Sequence, residues 1–391
     1  MKILHLYSDW KWTGPAEPVL QACAALQARG HEVLLAHLDP KHPVDESISQ
    51  KVAEYGLRGT TRFCLDRHLP PLGTLRDLIR LPRFIRNQKF DIVNVHLCHD
   101  HAIGGFCVRL LGRAGPPLVR TLHRREVLPA TLGYRFQIRR LADAWLAFTP
   151  KFREAYITRF GLPPDRVGVL PMTVDLERFR PQPGLRDLRP EFGVPPGRPV
   201  IGIVGRFQKY RRMDVFLEAA KRLLAEEPDV WFWVIGRSSQ IQHTVVEPVA
   251  RLGIGGRVVL TGYRIDDYVD LMHSLDIFTL LMPGFDGTAR AVREALALGK
   301  PCVVSDFGML PEIVRDGETG RVVPMSPEAL AGAWLELVRS PQARRAMGSA
   351  ARRYAEAHFR IDSVGPVLET FYRRVIESLS RPARPAGKRS R

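Results

Sequence analysis

Short apolar runs alternate with segments of helical period along this chain. Residues 2–7 form an apolar run ending at a polar loop, 8–14, after which Leu20, Cys23, Ala24 and Leu26 recur at helical spacing. Arg29-Gly30-His31 stops that helix, and residues 32–37 resume as a strand, which completes a βαβ opening. Residues 91–96, 117–123 and 144–149 read as further buried strands. Between Pro171 and Pro199 the pattern breaks, because Pro181, Pro183, Pro190, Pro195 and Pro196 leave little room for regular structure. It then restarts with a strand at 200–204, a helix at 214–225 and a strand at 230–236. Further strands follow at 257–260, 277–281 and 301–305, then helices to about Leu379.

Strands alternating with helices predict an α/β fold with parallel sheets whose ligands lie at the strand C-termini. A length of 391 residues exceeds what one core organises, so the architecture is expected twice. The expected boundaries are 1–180 for the first domain, 181–199 for a Pro-rich linker, 200–379 for the second domain and 380–391 for a disordered basic tail.

Composition narrows the class. No uninterrupted apolar run reaches the ~20 residues of a membrane helix, and the N-terminus leads into Ser8-Asp9 rather than a signal-peptide cleavage site, so a cytoplasmic protein is expected. Five scattered cysteines (Cys23, Cys64, Cys98, Cys107 and Cys302) indicate neither a disulfide framework nor a zinc site. The net charge of +17 is uneven: residues 1–182 hold 27 Lys and Arg against 17 Asp and Glu, and five further cations lie after Ser380. Such a surface attracts phosphate-bearing partners. Arg76, Arg80, Arg83 and Arg86 alternate with Leu75, Leu78, Ile79, Phe84 and Ile85 as a basic amphipathic element. That element reads either as a peripheral contact with an anionic membrane or as a solvated helix face, with Pro82 interrupting the helix. An RNA-binding role lacks any aromatic-rich motif to carry it, so no nucleic acid partner is expected.

The richest chemistry lies in residues 286–314. Asp286 stands in a loop, Gly287, Thr288, Ala289 and Arg290 open a helix, and Glu294 lies further along it, ahead of an apolar strand. Free N–H groups at a helix start can hold a phosphate, and a carboxylate within the helix can accept from ribose hydroxyls. Gly205, Arg206 and Arg211 occupy the loop between the first strand and first helix of the second half, a position that faces the ligand crevice of an α/β sheet. Both guanidinium groups can reach a diphosphate there. In the first half, Trp12, Thr13 and Gly14 form the loop after the opening strand. His123 follows a buried strand with Arg124 and Arg125 behind it, and His96, His99 and His101 cluster around Asp100. Lining of an acceptor site is the preferred reading of that cluster over metal ligation, and a hydrogen-bonded structural histidine is the alternative for His123.

These motifs resemble those of GT-B glycosyltransferases of family 4. The stretch from Asp286 to Glu294 is similar to the acidic-x7-Glu signature, with Asp in place of the usual Glu and Gly287-Thr288-Ala289 in place of Gly-Phe-Gly. Residues 205–214 are similar to Gly-Arg-x4-Lys-Gly-x-Asp, with Arg211 for Lys and Arg212 for Gly. Thr121-Leu122-His123 matches Thr-x-His, and residues 170–179 are similar to the hinge-side Pro-Asn-Gly-Val-Asp-x4-Phe segment.

The resemblance implies two Rossmann-like doubly wound parallel-sheet domains facing across a cleft. It also implies retaining transfer of a sugar from a nucleotide-diphosphate-sugar donor to a glycan or lipid-linked acceptor; two guanidinium groups and a helix start that can stabilise the leaving diphosphate predict metal-independent transfer, and the basic first half points to an anionic envelope glycan, in polysaccharide or lipopolysaccharide synthesis. His123, Arg206, Arg211 and Asp286 are the implied catalytic residues. Gly14, Gly205, Arg206, Arg211, Gly287, Thr288, Ala289, Arg290 and Glu294 would hold the donor, and Trp12, Thr13, His96, His123 and Arg124 the acceptor. No cofactor is expected, since the nucleotide-sugar is a substrate. The chain also lacks the Asp-x-Asp pair used by metal-dependent transferases. The altered motif positions leave a second reading, a decayed relative that binds nucleotide or glycan without transfer. The absence of Gly-x-Gly-x-x-Gly after either opening strand argues against a dehydrogenase.

Overall fold

The computed structural model describes residues 1–12, 14–40, 47–66, 68, 70–124, 126–284 and 289–380. They form two compact units: Met1–Pro171 together with the chain from Asp362 onward, and Met172–Ile361. Among the described residues no helix is long and apolar enough to cross a membrane.

The first unit holds strands β1 (Lys2–Tyr7), β2 (Glu32–His37), β3 (Arg58–Thr60), β4 (Ile92–Val95), β5 (Leu118–Thr121), β6 (Ala144–Ala147) and β7 (Val167–Val169). They pair in parallel in the order β3-β2-β1-β4-β5-β6-β7. Helices α1 (Ala16–Ala28), α2 (Ile48–Glu54), α3 (Pro71–Gln88), α4 (Cys98–Leu110), α5 (Leu132–Leu141) and α6 (Pro150–Phe160) connect them. Because crossover helices cover both faces of a parallel sheet, its strands are apolar on both sides; Ile3, Leu4, Leu6, Ile92, Val93 and Val95 are fully buried. Helix starts follow local rules. Ser47 accepts from the Gln50 amide while the Gln50 side chain accepts from the Ser47 amide, and Thr149 caps α6 through the Phe152 amide.

The second unit repeats the plan with β8 (Val200–Val204), β9 (Trp231–Ile235), β10 (Val258–Gly262), β11 (Ile277–Leu280), β12 (Cys302–Ser305) and β13 (Gly320–Val323). Their parallel order is β10-β9-β8-β11-β12-β13. Its helices are α7 (Met213–Glu226), α8 (Glu247–Leu252), α9 (Tyr268–His273), α10 (Arg290–Ala297), α11 (Leu310–Ile313), α12 (Pro327–Arg339) and α13 (Pro341–His358). Phe216, Phe232 and Trp334 form its aromatic centre, where the Trp334 indole donates to Thr279 Oγ1 at 2.9 Å. In each unit the chain order reverses beside the first strand, between β1 and β4 and between β8 and β11. Such a reversal opens a crevice at the strand C-termini.

Three expectations need correction. Helix α14 (Val364–Ser380) belongs to the first unit, not the second. It packs on α1, and the Tyr372 hydroxyl donates to Asn94 Oδ1 at 2.5 Å. An isolated helical pattern carries no mark of the sheet it covers, so sequence adjacency misassigned it. The Pro-rich segment 181–199 is part of the second unit rather than a free linker: Leu188 and Val194 are buried, the Leu188 amide donates to Ser274 Oγ, and Phe192 meets Trp233 edge-on. Pro82 does not interrupt its helix, since α3 runs through it from Pro71 to Gln88. Pro82 removes one amide donor, but Leu81, Pro82 and Ile85 are buried together, and that packing outweighs the lost bond.

Candidate functional site

In the second unit the crevice is built from loops after β8 and β11. The Gly205 amide donates to Ile235 O at 3.0 Å, and Gly236 next to Ile235 adopts φ +136°. A Cβ on Gly236 would lie 2.1 Å from the Gly205 carbonyl oxygen, so only glycine allows the two loops to touch. Arg206 extends from this junction exposed, with no ion-pair partner among the described residues. Arg211 closes a short 3-10 turn, Lys209–Arg211, and its guanidinium lies over Gly205. Its Nη1 donates to Met282 O at 2.6 Å, which ties the β8 loop to the chain leaving β11. Arg212, where the resemblance expects glycine, has φ +58°, so the left-handed backbone of a glycine is kept. Its guanidinium forks onto Asp214.

The chain from Met282 leads to α10, whose start Ala289 is also left-handed at φ +47°. Asp286, Gly287 and Thr288 lie outside the described residues. Glu294 is buried one turn into α10, and each of its oxygens has a partner. Oε1 accepts from Arg290 Nε at 2.6 Å, and Oε2 accepts from the Tyr268 hydroxyl at 2.7 Å. Burial, then the adjoining Glu294 charge, hold the Tyr268 phenol well above its usual pKa, so it remains a donor. A carboxylate has about four lone-pair sites, so two remain for a ligand hydroxyl.

In the first unit, three imidazoles from β1 and the segments after β4 and β5 form a buried row. His5 Nδ1 lies 2.9 Å from His96 Nε2, and His96 Nδ1 lies 3.1 Å from His123 Nε2. Burial depresses His5 and His123 to about 3 and His96 well below the usual value, so all three are neutral at pH 7. A neutral His123 offers a hydrogen-bonding group rather than a charge, and Arg124 next to it is half-buried. Beside the row, Asp100 accepts from the amides of Leu97 at 2.7 Å and of Ser8 and His96 at 3.2 Å, and faces Arg120 at 3.4 Å. Burial pushes Asp100 up to about 7 against the pull of Arg120 and those amides. This knot joins the ends of β1, β4 and β5. Trp12 is half-buried with the Lys51 ammonium 5.8 Å from its ring centroid, and Gly14 lies in the turn before α1. Thr13 lies outside the described residues.

The structure thus brings Gly205, Arg206 and Arg211 to one sheet edge with the chain leaving β11, and places His96 and His123 together at the strand ends of the other unit's sheet. Sequence reasoning missed His5, Arg120 and Tyr268. The first two carried a signal, a polar residue inside a fully apolar strand; Tyr268 carried none, because its partner lies 26 residues away.

Residues 13–178 match the family model described as Glycosyltransferase Family 4, and residues 186–354 match the one described as Glycosyl transferases group 1. The chain belongs to the GT-B glycosyltransferases of the family 4 type. Residues 205–214 and 286–294 fall within the group 1 match, and His96 and His123 within the family 4 match. The chain is 28% identical over 249 residues to a D-inositol 3-phosphate glycosyltransferase of Nocardia farcinica, covering 61% of this chain and 52% of that one. It is 26% identical over 255 residues to the UDP-Gal:alpha-D-GlcNAc-diphosphoundecaprenol alpha-1,3-galactosyltransferase of Escherichia coli, covering 62% and 65%. The chain therefore spans between about half and two thirds of the length of these curated relatives. Among solved structures, Anabaena Alr3699/HepE in complex with UDP shares the fold with a TM-score of 0.76 at 21% identity, covering 95% of this chain and 99% of that one.

Proposed function

We propose that this GT-B family member transfers a sugar from a nucleotide-diphosphate-sugar to a glycan or lipid-linked acceptor in envelope polysaccharide or lipopolysaccharide synthesis, with retention and without a metal ion. The observation that carries the reading is the tie from Arg211 to Met282, which sets one guanidinium group against the chain leaving β11 at the strand-order reversal, with the exposed Arg206 in the same β8 loop. Cleavage of a glycosyl-phosphate bond puts negative charge on the departing nucleoside diphosphate. Arg206 and Arg211, with the amides that open α10, would neutralise it, which is the work a metal does elsewhere.

Glu294 accepts from the ribose hydroxyls, and Arg290 and Tyr268 fix its orientation. Asp286 lies near the donor sugar's hydroxyls in this reading, with Gly205, Gly287, Thr288 and Ala289 supplying close backbone. On the acceptor side, Trp12, Thr13, His96, His123 and Arg124 line the approach, and Gly14 lets backbone come close to the donor. Support for a UDP-type donor comes from the UDP complex of the Anabaena neighbour. Support for a lipid-linked acceptor comes from the diphosphoundecaprenol substrate in the name of the Escherichia coli relative.

The test is calorimetric binding of UDP together with turnover of UDP-sugars, with and without a chelator. Arg206→Ala should weaken UDP binding about tenfold to a hundredfold, the range of a lost charge-assisted hydrogen bond. Glu294→Gln should lower both binding and transfer. Unchanged binding and rates in both variants, or activity abolished by the chelator, would overturn the assignment.

A further inference from the structure

We propose that Trp10 and Trp12 form a stacking platform that holds two neighbouring sugar rings of an oligosaccharide acceptor. The proposal rests on the sugar-transfer reading above and names the class of acceptor, a saccharide chain of at least two rings rather than a single sugar or a small polyol.

Of the six tryptophans, Trp145, Trp233 and Trp334 are buried core residues. Trp231 stands at the start of β9, at the end of the second sheet away from its crevice, with the Arg257 guanidinium over its ring. Trp10 and Trp12 differ from these. Both are half-buried, and both lie in the loop after β1, at the strand C-termini beside the reversal between β1 and β4. That edge is where a doubly wound sheet takes its ligand. The root of the loop is tied to the histidine row, because the Ser8 amide donates to Asp100 Oδ2 at 3.2 Å and Asp100 also accepts from the His96 amide.

The loop is held in shape by its own hydrogen bonds. Asp9 Oδ1 accepts from the amides of Trp10 at 2.8 Å and Lys11 at 3.2 Å, an Asx turn that sets the exit from β1. The Ile48 amide donates to Trp10 O at 2.9 Å, and Lys11 forms an antiparallel bridge with Ser47, the cap of α2. Lys11 is therefore held extended, and in extended backbone side chains i and i+2 project to one side, about 7 Å apart. Two indoles so placed offer flat apolar faces at a spacing that suits successive sugar rings, whose C–H faces stack on aromatic rings. Tryptophan adds large contact area at small entropic cost when the backbone is already fixed.

An ammonium rests against each ring: Lys11 Nζ lies 5.2 Å from the Trp10 centroid and Lys51 Nζ 5.8 Å from that of Trp12. At a partly exposed site such a contact is worth about 0.5–1 kcal/mol, so a stacked sugar displaces it at little cost. The freed ammonium groups then donate to sugar hydroxyls or carboxylates. Single-stranded nucleic acid also stacks on indoles, but exposed Glu54, 2.8 Å from Lys51, sets a carboxylate near the platform that repels a phosphodiester backbone.

The test is capture of the full chain, with and without UDP, on an array of bacterial envelope oligosaccharides running from single sugars to hexasaccharides, followed by calorimetry on the tightest ligand. Binding is expected to a subset of disaccharides and longer chains and to no single sugar. Trp10→Ala and Trp12→Ala should each weaken it about tenfold, and Trp10→Phe and Trp12→Phe, which keep a ring face, should restore most of the loss. On the native chain, the indole N–H resonances of Trp10 and Trp12, assigned from the phenylalanine variants, should shift with the glycan while those of Trp145, Trp233 and Trp334 stay in place. The resonances and the phenylalanine variants decide the matter even where an alanine variant fails to fold. Capture of no glycan overturns the proposal, as does glycan binding that leaves both resonances unmoved. Single sugars held as tightly as disaccharides, or single-stranded RNA held more tightly than any glycan, overturn it as well. UDP calorimetry on the same native chain separates the two readings: UDP bound with no glycan captured sinks the platform alone, and glycan captured without UDP binding sinks the donor site alone.

Discussion

The Nδ1 of His96 lies 3.1 Å from the Nε2 of His123, and both rings are buried and neutral. A hydrogen bond between two imidazoles needs one N–H and one bare nitrogen. His96 makes a second such bond to His5 through its other nitrogen. The three tautomers are therefore coupled: if His96 carries its proton on Nδ1, so do His5 and His123, and if on Nε2, all three switch. The outer atoms of the row, His5 Nε2 and His123 Nδ1, have no partner among the described residues. Long-range proton–nitrogen correlations on labelled histidine should show one shared tautomer for the three rings. A spectrum with one ring on Nδ1 and its neighbour on Nε2 would refute the coupling.

The same burial predicts acid lability. Folded-state values of His5, His96, His101 and His123 lie below the unfolded value near 6.5, so the unfolded chain binds more protons once the pH falls below it. Their contribution is present above about pH 6.5 and is lost as pH falls toward 3, at up to about 1.4 kcal/mol per pH unit for each histidine. Asp100 works in the opposite sense: with its folded value raised to about 7, it favours the folded state increasingly as pH drops below that. Four groups outweigh one, so chemical denaturation at pH 7, 6 and 5 should show falling stability. A flat or rising series would contradict the buried neutral row.

Gly236→Ala should destabilise by about 3 kcal/mol or more. A side chain at φ +136° is strained, and its Cβ would sit 2.1 Å from a backbone oxygen that cannot swing away. Since the Gly205 carbonyl would have to move, UDP binding should weaken beyond what stability alone explains. Urea denaturation and calorimetry at a temperature where the variant is folded test both halves.

Tyr268→Phe removes one donor from a buried carboxylate. The expected cost is about 1.5–3 kcal/mol of stability, with donor affinity reduced because Glu294 loses one of the two groups that orient it. If the Phe variant bound UDP as tightly as the native chain, Tyr268 would be a packing residue only.

Tyr372→Phe examines the placement of α14. Its hydroxyl reaches Asn94, which in turn donates to Thr121 Oγ1 at 3.0 Å, two residues before His123. A loss of about 1–2 kcal/mol should fall on the first unit, and hydrogen exchange should speed in β4 and β5 while β8 and β11 stay protected.

Several features were legible in order along the chain. Runs such as residues 144–147 and 200–204 are apolar on both faces, as a covered parallel sheet requires, and the segments after the strands carried Arg206 and Arg211 in a loop and Glu294 in a helix at recognisable spacing. The short strands β3, β7 and β13 were not, because three or four residues, partly exposed, produce no distinct period.

The sequence by itself determined which segments become strands and helices, where the architecture restarts, and which cations stand at strand ends, because each depends on residues a few positions apart. Tertiary structure decided the partners. It set Tyr268 on Glu294, His5 on His96, and α14 on the first sheet across a gap of 278 residues between Asn94 and Tyr372. Those pairings follow from which buried polar groups must satisfy one another once the sheets close, a condition that no local pattern encodes.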